Sequence, residues 1–295
     1  MTSGSLAHPA PRTSSGDGNG DGTTRTVSAA VEMQVTETAE LVWSVAVAQQ
    51  EGPDGTAQPH LASEELTLTV DGSPVEVREV RVADGGRLHV CTAPPGRLRL
   101  TYAAEVTGHA EPALVDPVDD IVYRRPSRYA ESDELGPTAW AEFSSLEGKE
   151  LLDAVSSWVG TQLYYVSGSS RPTDGATQTF LARQGVCRDF AHLVIAMLRA
   201  RNVPARLVAV YAPGLTPMDF HAVVEAAIDG RWCAVDATTL APRDSLVRIA
   251  TGRDASDTAF LTVQSGRADL STMRVDATAS PALPTDDLTR LVSLG

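Results

Sequence analysis

One stretch of the chain holds a cysteine where its sulfur would be chemically activated. Gly185 ends one short helical pattern, and apolar residues recur at helical spacing from Phe190 to Leu198, so Cys187 falls in the first turn of a buried helix. Free backbone N–H groups and the positive end of the helix dipole favour a thiolate there. Because cysteine is also among the most buried residue types, this stretch alone makes Cys187 only a candidate nucleophile.

A predicted β-hairpin supplies the partners that a nucleophilic cysteine needs. Two runs of strand character meet at Asp229-Gly230, the strongest short signal for a two-residue hairpin loop. If Ile228 faces Arg231, then His221 and Asp236 project from one face as a diagonal pair. Their Cβ atoms should lie about 7–8 Å apart, which an imidazole and a carboxylate can close to a hydrogen bond. Cysteine, histidine and aspartate then provide a nucleophile, a base and a group that orients the base.

A second histidine, His192, competes for the role of base because it is nearer in sequence. Five residues at about 100° each place it roughly 140° around the helix from Cys187. We therefore interpret His192 as a packing histidine or one that supports the site from behind.

A zinc site is an alternative use of the same three residue types. The ligands would have to converge at about 2.0–2.3 Å from the ion. The sequence lacks the close Cys-x-x-Cys or His-x-x-x-His pairs that are usual in zinc sites. We therefore expect no metal and no cofactor.

Four sequence blocks together resemble the transglutaminase-like superfamily of bacterial proteins. They are Gly185-Val-Cys-Arg-Asp-Phe-Ala-His192, Asn202-Val-Pro-Ala-Arg206, His221-Ala-Val-Val-Glu225, and Trp232 with Val235-Asp-Ala-Thr238. The resemblance covers about residues 145–265. It implies a papain-like core, in which the cysteine helix packs on a sheet that carries histidine and aspartate, and it gives these roles to Cys187, His221 and Asp236. The family holds transglutaminases, cysteine proteases and peptide-deglycosylating enzymes, so the resemblance does not choose a substrate.

The resemblance also implies an oxyanion site beside the nucleophile. In this superfamily the segment before the nucleophile helix lines the cleft and supplies an aromatic or polar side chain. The candidates in this sequence are Trp158, Tyr164, Tyr165 and Gln178. Trp158 lies in the apolar stripe of a predicted helix and fits the core better. The sequence does not rank the other three.

Composition and charge narrow the partners and the compartment. The chain has 24 Lys and Arg against 38 Asp and Glu, and its formal net charge is −14. Such a surface repels phosphate backbones and anionic lipids, so we expect no nucleic acid or membrane partner. The resemblance implies a protein or peptide substrate, with an amine as one possible acceptor. The chain has 3 cysteines, a small and odd number that does not suggest a disulfide framework. The sequence shows no signal-peptide pattern and no long apolar run, so a cytoplasmic location is predicted. The sequence does not predict the oligomeric state.

The overall pattern predicts an α+β chain that begins with a β-rich part. Residues 1–26 have little to bury and are expected to be disordered. Within them, Asp17–Gly22 opens like a calcium loop but lacks the glutamate that would complete one. Residues 27–108 alternate with period two between frequent turns, which predicts an antiparallel β-sandwich-like domain.

The second half is predicted to carry the chemistry. Prolines interrupt residues 109–145, which we interpret as a connector. Residues 146–265 form the transglutaminase-like core, and within it the loop at 212–219 is expected to border the cleft. Residues 266–295 show no sustained periodicity and are predicted to form a C-terminal tail.

These features together predict acyl transfer on amide bonds. A Cys187 thiolate would attack a glutamine carboxamide, a peptide bond or an isopeptide bond and form a thioester. An amine or water would then accept the acyl group, and the sequence does not decide between them. The alternative is a non-catalytic binding module that keeps the cleft as a recognition surface.

Overall fold

The structure, a computed structural model, describes residues 23–52 and 55–294. Most of the predicted N-terminal tail, including the Asp17–Gly22 stretch, lies outside the described residues. The last residues of that predicted tail instead belong to a strand, which begins at Thr24. Its first residues alternate between buried and more exposed positions, so the period-two pattern starts earlier than the sequence suggested.

The strands before residue 108 make up the β-rich part. They are β1 (Thr24–Trp43), β2 (Gln50–Glu51), β3 (Ala57–Gln58), β4 (His60–Val70), β5 (Ser73–Pro74), β6 (Arg78–Arg81), β7 (Arg87–Ala93) and β8 (Gly96–Thr107).

Helices and strands are mixed in the remainder of the chain. The helices are α1 (Pro117–Val122), α2 (Gly136–Phe143), α3 (Gly148–Gln162), α4 (Ala176–Ala182) and α5 (Cys187–Ala200). The strands are β9 (Tyr164–Tyr165), β10 (Gln184–Gly185), β11 (Ala205–Tyr211), β12 (His221–Ile228), β13 (Arg231–Val235), β14 (Val247–Gly252) and β15 (Leu261–Ser280). No helix in the described ranges is both long enough and apolar enough to cross a membrane.

The large antiparallel sheet is organised on β1. One edge of β1 pairs with β15 from Thr24 to Trp43. The other edge is shared, since β8 pairs with residues 24–35 and β7 with residues 39–43. The register against β15 shifts several times between Val35 and Leu41, where β1 changes partner and the sheet curls. The predicted α+β class and its antiparallel, β-rich beginning are confirmed.

The C-terminal region differs from the predicted tail. β15 covers much of it, although most of its residues are exposed and only Val275 and Ala277 are buried. The strand is held along its length by its backbone ladder to β1. Apolar and polar residues alternate from Met273 to Ala279, a signal that the prediction of a tail overlooked, whereas residues 264–272 show no sustained alternation. Residues 281–294 then return to the half of the chain that contains β11 to β14, where the Ala234 N–H donates to the Val292 carbonyl over 2.7 Å.

The predicted connector contains two helices, and prolines help them to begin. Pro117 is the first residue of α1, and Pro137 lies in the first turn of α2. Proline is tolerated there because its missing N–H would have no partner inside the helix. The sequence reading treated these prolines only as helix breakers.

The small sheet has the strand order β13-β12-β11-β14, and α5 packs against β12 and β11. The hairpin register predicted from its loop is confirmed, because Ile228 pairs with Arg231 and Val224 with Val235. Asp229 and Gly230 have φ values of 49° and 76°, as a two-residue loop of this kind requires.

The two sheets share one hydrophobic core. Tyr211 and Ile249 of the small sheet belong to the same buried cluster as Trp43 and Tyr102 of the large one. The Tyr211 hydroxyl donates to the Val45 carbonyl over 2.7 Å. The small sheet is therefore fixed on the large sheet by packing and by a buried hydrogen bond.

A buried ion network lies behind the small sheet. Glu225 accepts from Arg206 Nε over 2.8 Å and from Arg248 Nη2 over 2.6 Å. The Arg206 guanidinium also stacks on Trp232, 3.9 Å from the ring centroid. Burial alone would raise the pKa of Glu225, but the two arginines hold it below its ordinary value. The carboxylate therefore stays charged in the interior because both neighbours compensate it.

Replacing Glu225 with alanine should destabilise the protein strongly. The change leaves Arg206 and Arg248 buried with a partner missing, which costs about 3–5 kcal/mol in comparable sites. The matched control is Asp276→Asn, since Asp276 pairs with Arg274 at an exposed site and its loss should change stability little. Urea unfolding followed by circular dichroism measures both. Equal losses in the two variants would contradict this account of the network.

Candidate active site

Cys187 is the first residue of α5, and the turn before the helix is held by backbone and side-chain contacts. The buried Asp189 carboxylate accepts the Val186 N–H over 2.8 Å and so ties the turn to the helix. A Cβ at position 185 would lie 2.6 Å from Asp189 Cβ, so only glycine fits there. The Cys187 N–H belongs to the first turn of the helix, where backbone donors have no carbonyl partner within the helix.

Tyr165 is brought to the nucleophile by a short parallel pairing. β9 pairs with β10 in the register Tyr165 to Gly185, and the Val166 N–H donates to the Gly185 carbonyl over 2.9 Å. The Tyr165 hydroxyl lies close enough to the backbone N–H of Cys187 to interact with it. Burial and the nearby cysteine raise the pKa of Tyr165 to about 12, so its hydroxyl keeps its proton at neutral pH.

His221 and Asp236 meet in the hairpin as the register requires. His221 begins β12, Asp236 directly follows β13, and His221 Nε2 lies 2.7 Å from Asp236 Oδ2. The other oxygen of Asp236 accepts the Thr238 N–H over 2.9 Å and the Thr238 hydroxyl over 2.6 Å. The carboxylate is thus fixed on one side by the backbone and holds the imidazole on the other.

The sulfur of Cys187 faces the second nitrogen of the same imidazole. Cys187 lies close enough to His221 to raise the pKa of the imidazole, and Nε2 is already used by Asp236. Nδ1 is buried and has no hydrogen-bond partner within residues 23–52 and 55–294, so it is the nitrogen available to the sulfur. The imidazole therefore lies between thiol and carboxylate, and the three groups cannot all point at one ion, which argues against the zinc alternative.

The surroundings favour a charged imidazole. Burial lowers the pKa of His221, but the contacts with Asp236 and Cys187 outweigh burial and raise it to about 10. Burial would also raise the pKa of Asp236, yet His221 and Thr238 bring it below its ordinary value. At neutral pH the structure therefore favours an imidazolium next to an ionised carboxylate.

The other predicted oxyanion candidates lie away from the sulfur. Trp158 is partly buried in an aromatic cluster with Phe143 and Phe180, at ring distances of 5.9 and 6.0 Å. Tyr164 points to solvent and is 76% exposed, and Gln178 is exposed on α4. Of the candidates, the structure brings Tyr165 to Cys187.

His192 is a packing histidine, as its position on the helix predicted. It is fully buried and stacks on Tyr129, with ring centroids 5.4 Å apart. Its Nε2 accepts the Ala255 N–H over 3.1 Å. Burial lowers the pKa of His192 to about 3, so the ring stays neutral and can accept this bond.

A cavity of about 520 Å³ opens at Cys187 and His221, between the two sheets. Its walls include Asp219, the last residue of the loop expected to border the cleft, and Phe220, which follows that loop. The large sheet contributes residues that sequence reasoning did not associate with the site: Ser44, Leu261 and Met273. Only the fold brings these to the cysteine, because their strands lie far from it in sequence.

Comparisons with known proteins place this geometry in a family. A model of the transglutaminase-like superfamily matches residues 126–237, which include the cysteine, the histidine and the aspartate. The structure of a proposed cysteine protease from Cytophaga hutchinsonii is similar with a TM-score of 0.81 and 32% sequence identity, over 92% of this chain and 96% of that one.

Curated relatives match over shorter stretches. An uncharacterized protein of Mycobacterium tuberculosis is 44% identical over 62 residues, which are 21% of this chain and 20% of that protein. An uncharacterized protein of Mycobacterium leprae is 28% identical over 134 residues, 41% of this chain and 47% of that protein. The matched part of this chain therefore spans less than half the length of these curated relatives.

Iodoacetamide at pH 7 should label Cys187 before the other two cysteines. Burial raises the pKa of Cys91 and of Cys233, whereas Cys187 is partly exposed and has an imidazolium beside it. The variant His221→Ala should slow labelling of Cys187 by about tenfold or more, because the cation that stabilises the thiolate is lost.

Samples taken at successive times and analysed by peptide mass spectrometry give the labelling rate of each cysteine. The matched control is His60→Ala, since His60 is exposed on β4 and does not line the cavity. A Cys187 rate that is the same in wild type, His221→Ala and His60→Ala would show that exposure alone explains the reactivity.

Proposed function

Because this chain belongs to the transglutaminase-like superfamily, we propose that it is a cysteine-dependent enzyme that transfers acyl groups from amide bonds of protein or peptide substrates. The observation that carries this proposal is the imidazole of His221, buried between the Cys187 sulfur and the Asp236 carboxylate. The cysteine protease of similar fold and its 32% identity support cysteine chemistry in general. The amide substrates and the acyl transfer are our more specific proposals.

The first half of the reaction forms a thioester. The Cys187 thiolate attacks the amide carbonyl carbon, and the C=O electrons move onto oxygen. His221, charged in the resting site, donates its proton to the leaving nitrogen as the C–N bond breaks. An amine or ammonia departs, and the acyl group stays on sulfur next to a neutral imidazole. Asp236 keeps the imidazole in the orientation that this proton transfer needs.

The second half releases the acyl group to an amine or to water. The nucleophile adds to the thioester carbonyl and gives one proton to His221. The C–S bond then breaks, which restores the thiolate beside an imidazolium. An amine yields a new amide bond, and water yields a carboxylic acid. In both cases the acceptor gives one proton to His221, so proton transfer does not favour either reaction. Which reaction dominates depends on whether water can reach the thioester in the cavity.

The negative oxygen of the tetrahedral intermediate needs donors that are already in place. The Cys187 N–H is one, because it lies in the first turn of α5 and carries the positive end of the helix dipole. The protonated Tyr165 hydroxyl, which contacts that N–H, is the other. We propose that substrate oxygen enters between these groups and accepts from both.

A reducing compartment suits this chemistry. Cys91, Cys187 and Cys233 are all free thiols in the structure. A nucleophilic thiol must stay reduced to act, and the cytoplasm keeps thiols reduced. A cytoplasmic location therefore remains part of the proposal.

Trapping the thioester tests the proposed function directly. Wild-type protein is incubated with a cell lysate, quenched in acid and digested, and the peptide with Cys187 is examined by mass spectrometry. We expect added acyl masses that hydroxylamine removes, because hydroxylamine cleaves thioesters. Cys187→Ala should show none at this peptide.

The binding-module alternative gives the opposite result. Wild type and Cys187→Ala would then retain the same lysate proteins, and no mass that hydroxylamine can remove would appear on Cys187. That outcome would overturn the catalytic proposal while leaving the fold assignment intact.

Tyr165→Phe should lower kcat by about 10²–10³-fold with little change in KM, because an oxyanion donor acts mainly in the transition state. The matched control is Tyr164→Phe, which removes the same atom from a neighbouring side chain that is 76% exposed. Steady-state kinetics on a peptide identified by trapping measures both. If the two variants have equal kcat, Tyr165 is not an oxyanion donor.

A further inference from the structure

Asp219 carries a negative charge at the His221 end of the cavity. It lies two residues before His221, lines the cavity and is solvent-exposed. Asp219 interacts electrostatically with His221, and it is close enough to Tyr165 to help raise the pKa of that hydroxyl. Among the side chains that the structure describes, no lysine or arginine is paired with Asp219. A cation brought by a ligand could therefore occupy the place of the missing partner.

The backbone around Asp219 is anchored, so its carboxylate is held in place. The Phe220 N–H donates to Asp219 Oδ1 over 2.7 Å, which leaves the second oxygen available. The Phe220 ring packs on Tyr211 and on Phe260, each with centroids 5.5 Å apart. A carboxylate fixed in this way needs little reorganisation to accept a ligand.

The charges of the cleft are unevenly distributed. Near His221, the carboxylates of Asp236 and Asp219 outnumber the single imidazolium. At another point of the cavity wall, Arg188 is 3.2 Å from Asp189, so its charge is largely compensated. The net field near the base is therefore negative, and a partly enclosed cleft concentrates such a field.

We propose that Asp219 is a specificity residue that draws a primary ammonium group, such as the lysine side chain of a peptide, to the His221 end of the cleft. This inference rests on the proposed function, because it names the amine that enters or leaves beside the base. Any amine that exchanges protons with His221 must pass this end of the cavity. A lysine ammonium would bind Asp219 and lose one proton to water, and the free amine would then attack the thioester and give a second proton to His221.

Small charged thiol reagents test the inference without a known substrate. Three methanethiosulfonates are compared: the 2-aminoethyl reagent is cationic, the methyl reagent is neutral and the 2-sulfonatoethyl reagent is anionic. Each forms a disulfide on Cys187 and releases methanesulfinate, and peptide mass spectrometry gives the rates. We expect the cationic reagent to be favoured over the neutral one in wild type. Asp219→Asn should reduce that ratio by about threefold to tenfold, the effect of one unit charge at close range.

Two further variants make the result specific to this carboxylate. Asp219→Glu keeps the charge and should keep most of the cationic preference. Glu65→Gln removes a charge on β4 away from the cavity and should leave the ratio unchanged. Taking ratios between reagents cancels any general change in thiolate reactivity.

The outcomes separate this inference from the proposed function. If Cys187 reacts quickly with all three reagents and Asp219→Asn leaves their ratios unchanged, the role of Asp219 is overturned while the nucleophile stands. If Cys187 reacts no faster than Cys91 and Cys233, the proposed function fails and the inference fails with it.

A competition experiment identifies the carrier of the ammonium group. Nα-acetyl-lysine amide and putrescine are each added during labelling with the neutral reagent. Protection by the lysine compound in wild type, lost in Asp219→Asn, supports a peptide lysine as the partner. Protection by putrescine alone would overturn the peptide lysine in favour of a free polyamine.

Discussion

The site depends on one buried imidazole held between a carboxylate and a thiol, both of which favour its charged form. Burial alone would keep His221 neutral, and a neutral ring could not stabilise a thiolate. The carboxylate of Asp236 overcomes that cost, and it stays ionised because Thr238 donates two hydrogen bonds to it. Cys187 contributes the second attraction from the start of α5. The rest of the fold can be understood as support for this arrangement, since a displacement of helix or hairpin would break one of these contacts.

The parts of this site that are local in sequence could be predicted. The hairpin register follows from a two-residue loop and from strict alternation, and these two constraints leave one pairing for Ile228 with Arg231 and so one face for His221 and Asp236. Likewise, a cysteine just after Gly185 had to start the helix whose apolar face follows it. Helical angles alone were enough to turn His192 away from the sulfur.

Features that depend on long-range pairing could not be predicted. β15 pairs along the whole of β1, yet apolar residues alternate only near its ends, and its register is set by a backbone ladder to residues more than 200 positions earlier in the chain. Tyr165 could not be chosen over Tyr164 until β9 paired with β10, since a shift by one residue would exchange their sides. Met273 and Ser44 reach the cavity only through the way the sheets pack on each other.

The architecture separates the chemistry from the choice of substrate. The reacting groups lie on α5 and the small sheet. The buried ion pairs of Glu225 with Arg206 and Arg248 link three strands of that sheet, so these strands can move little relative to one another. Part of the cavity wall comes instead from the loop before His221, from Ser44 just after β1 and from β15. Substitutions in those walls can change which group approaches the base without moving the imidazole. Since Asp219 is in such a wall but only two residues from His221, its charge can act on an incoming group and on the base at once.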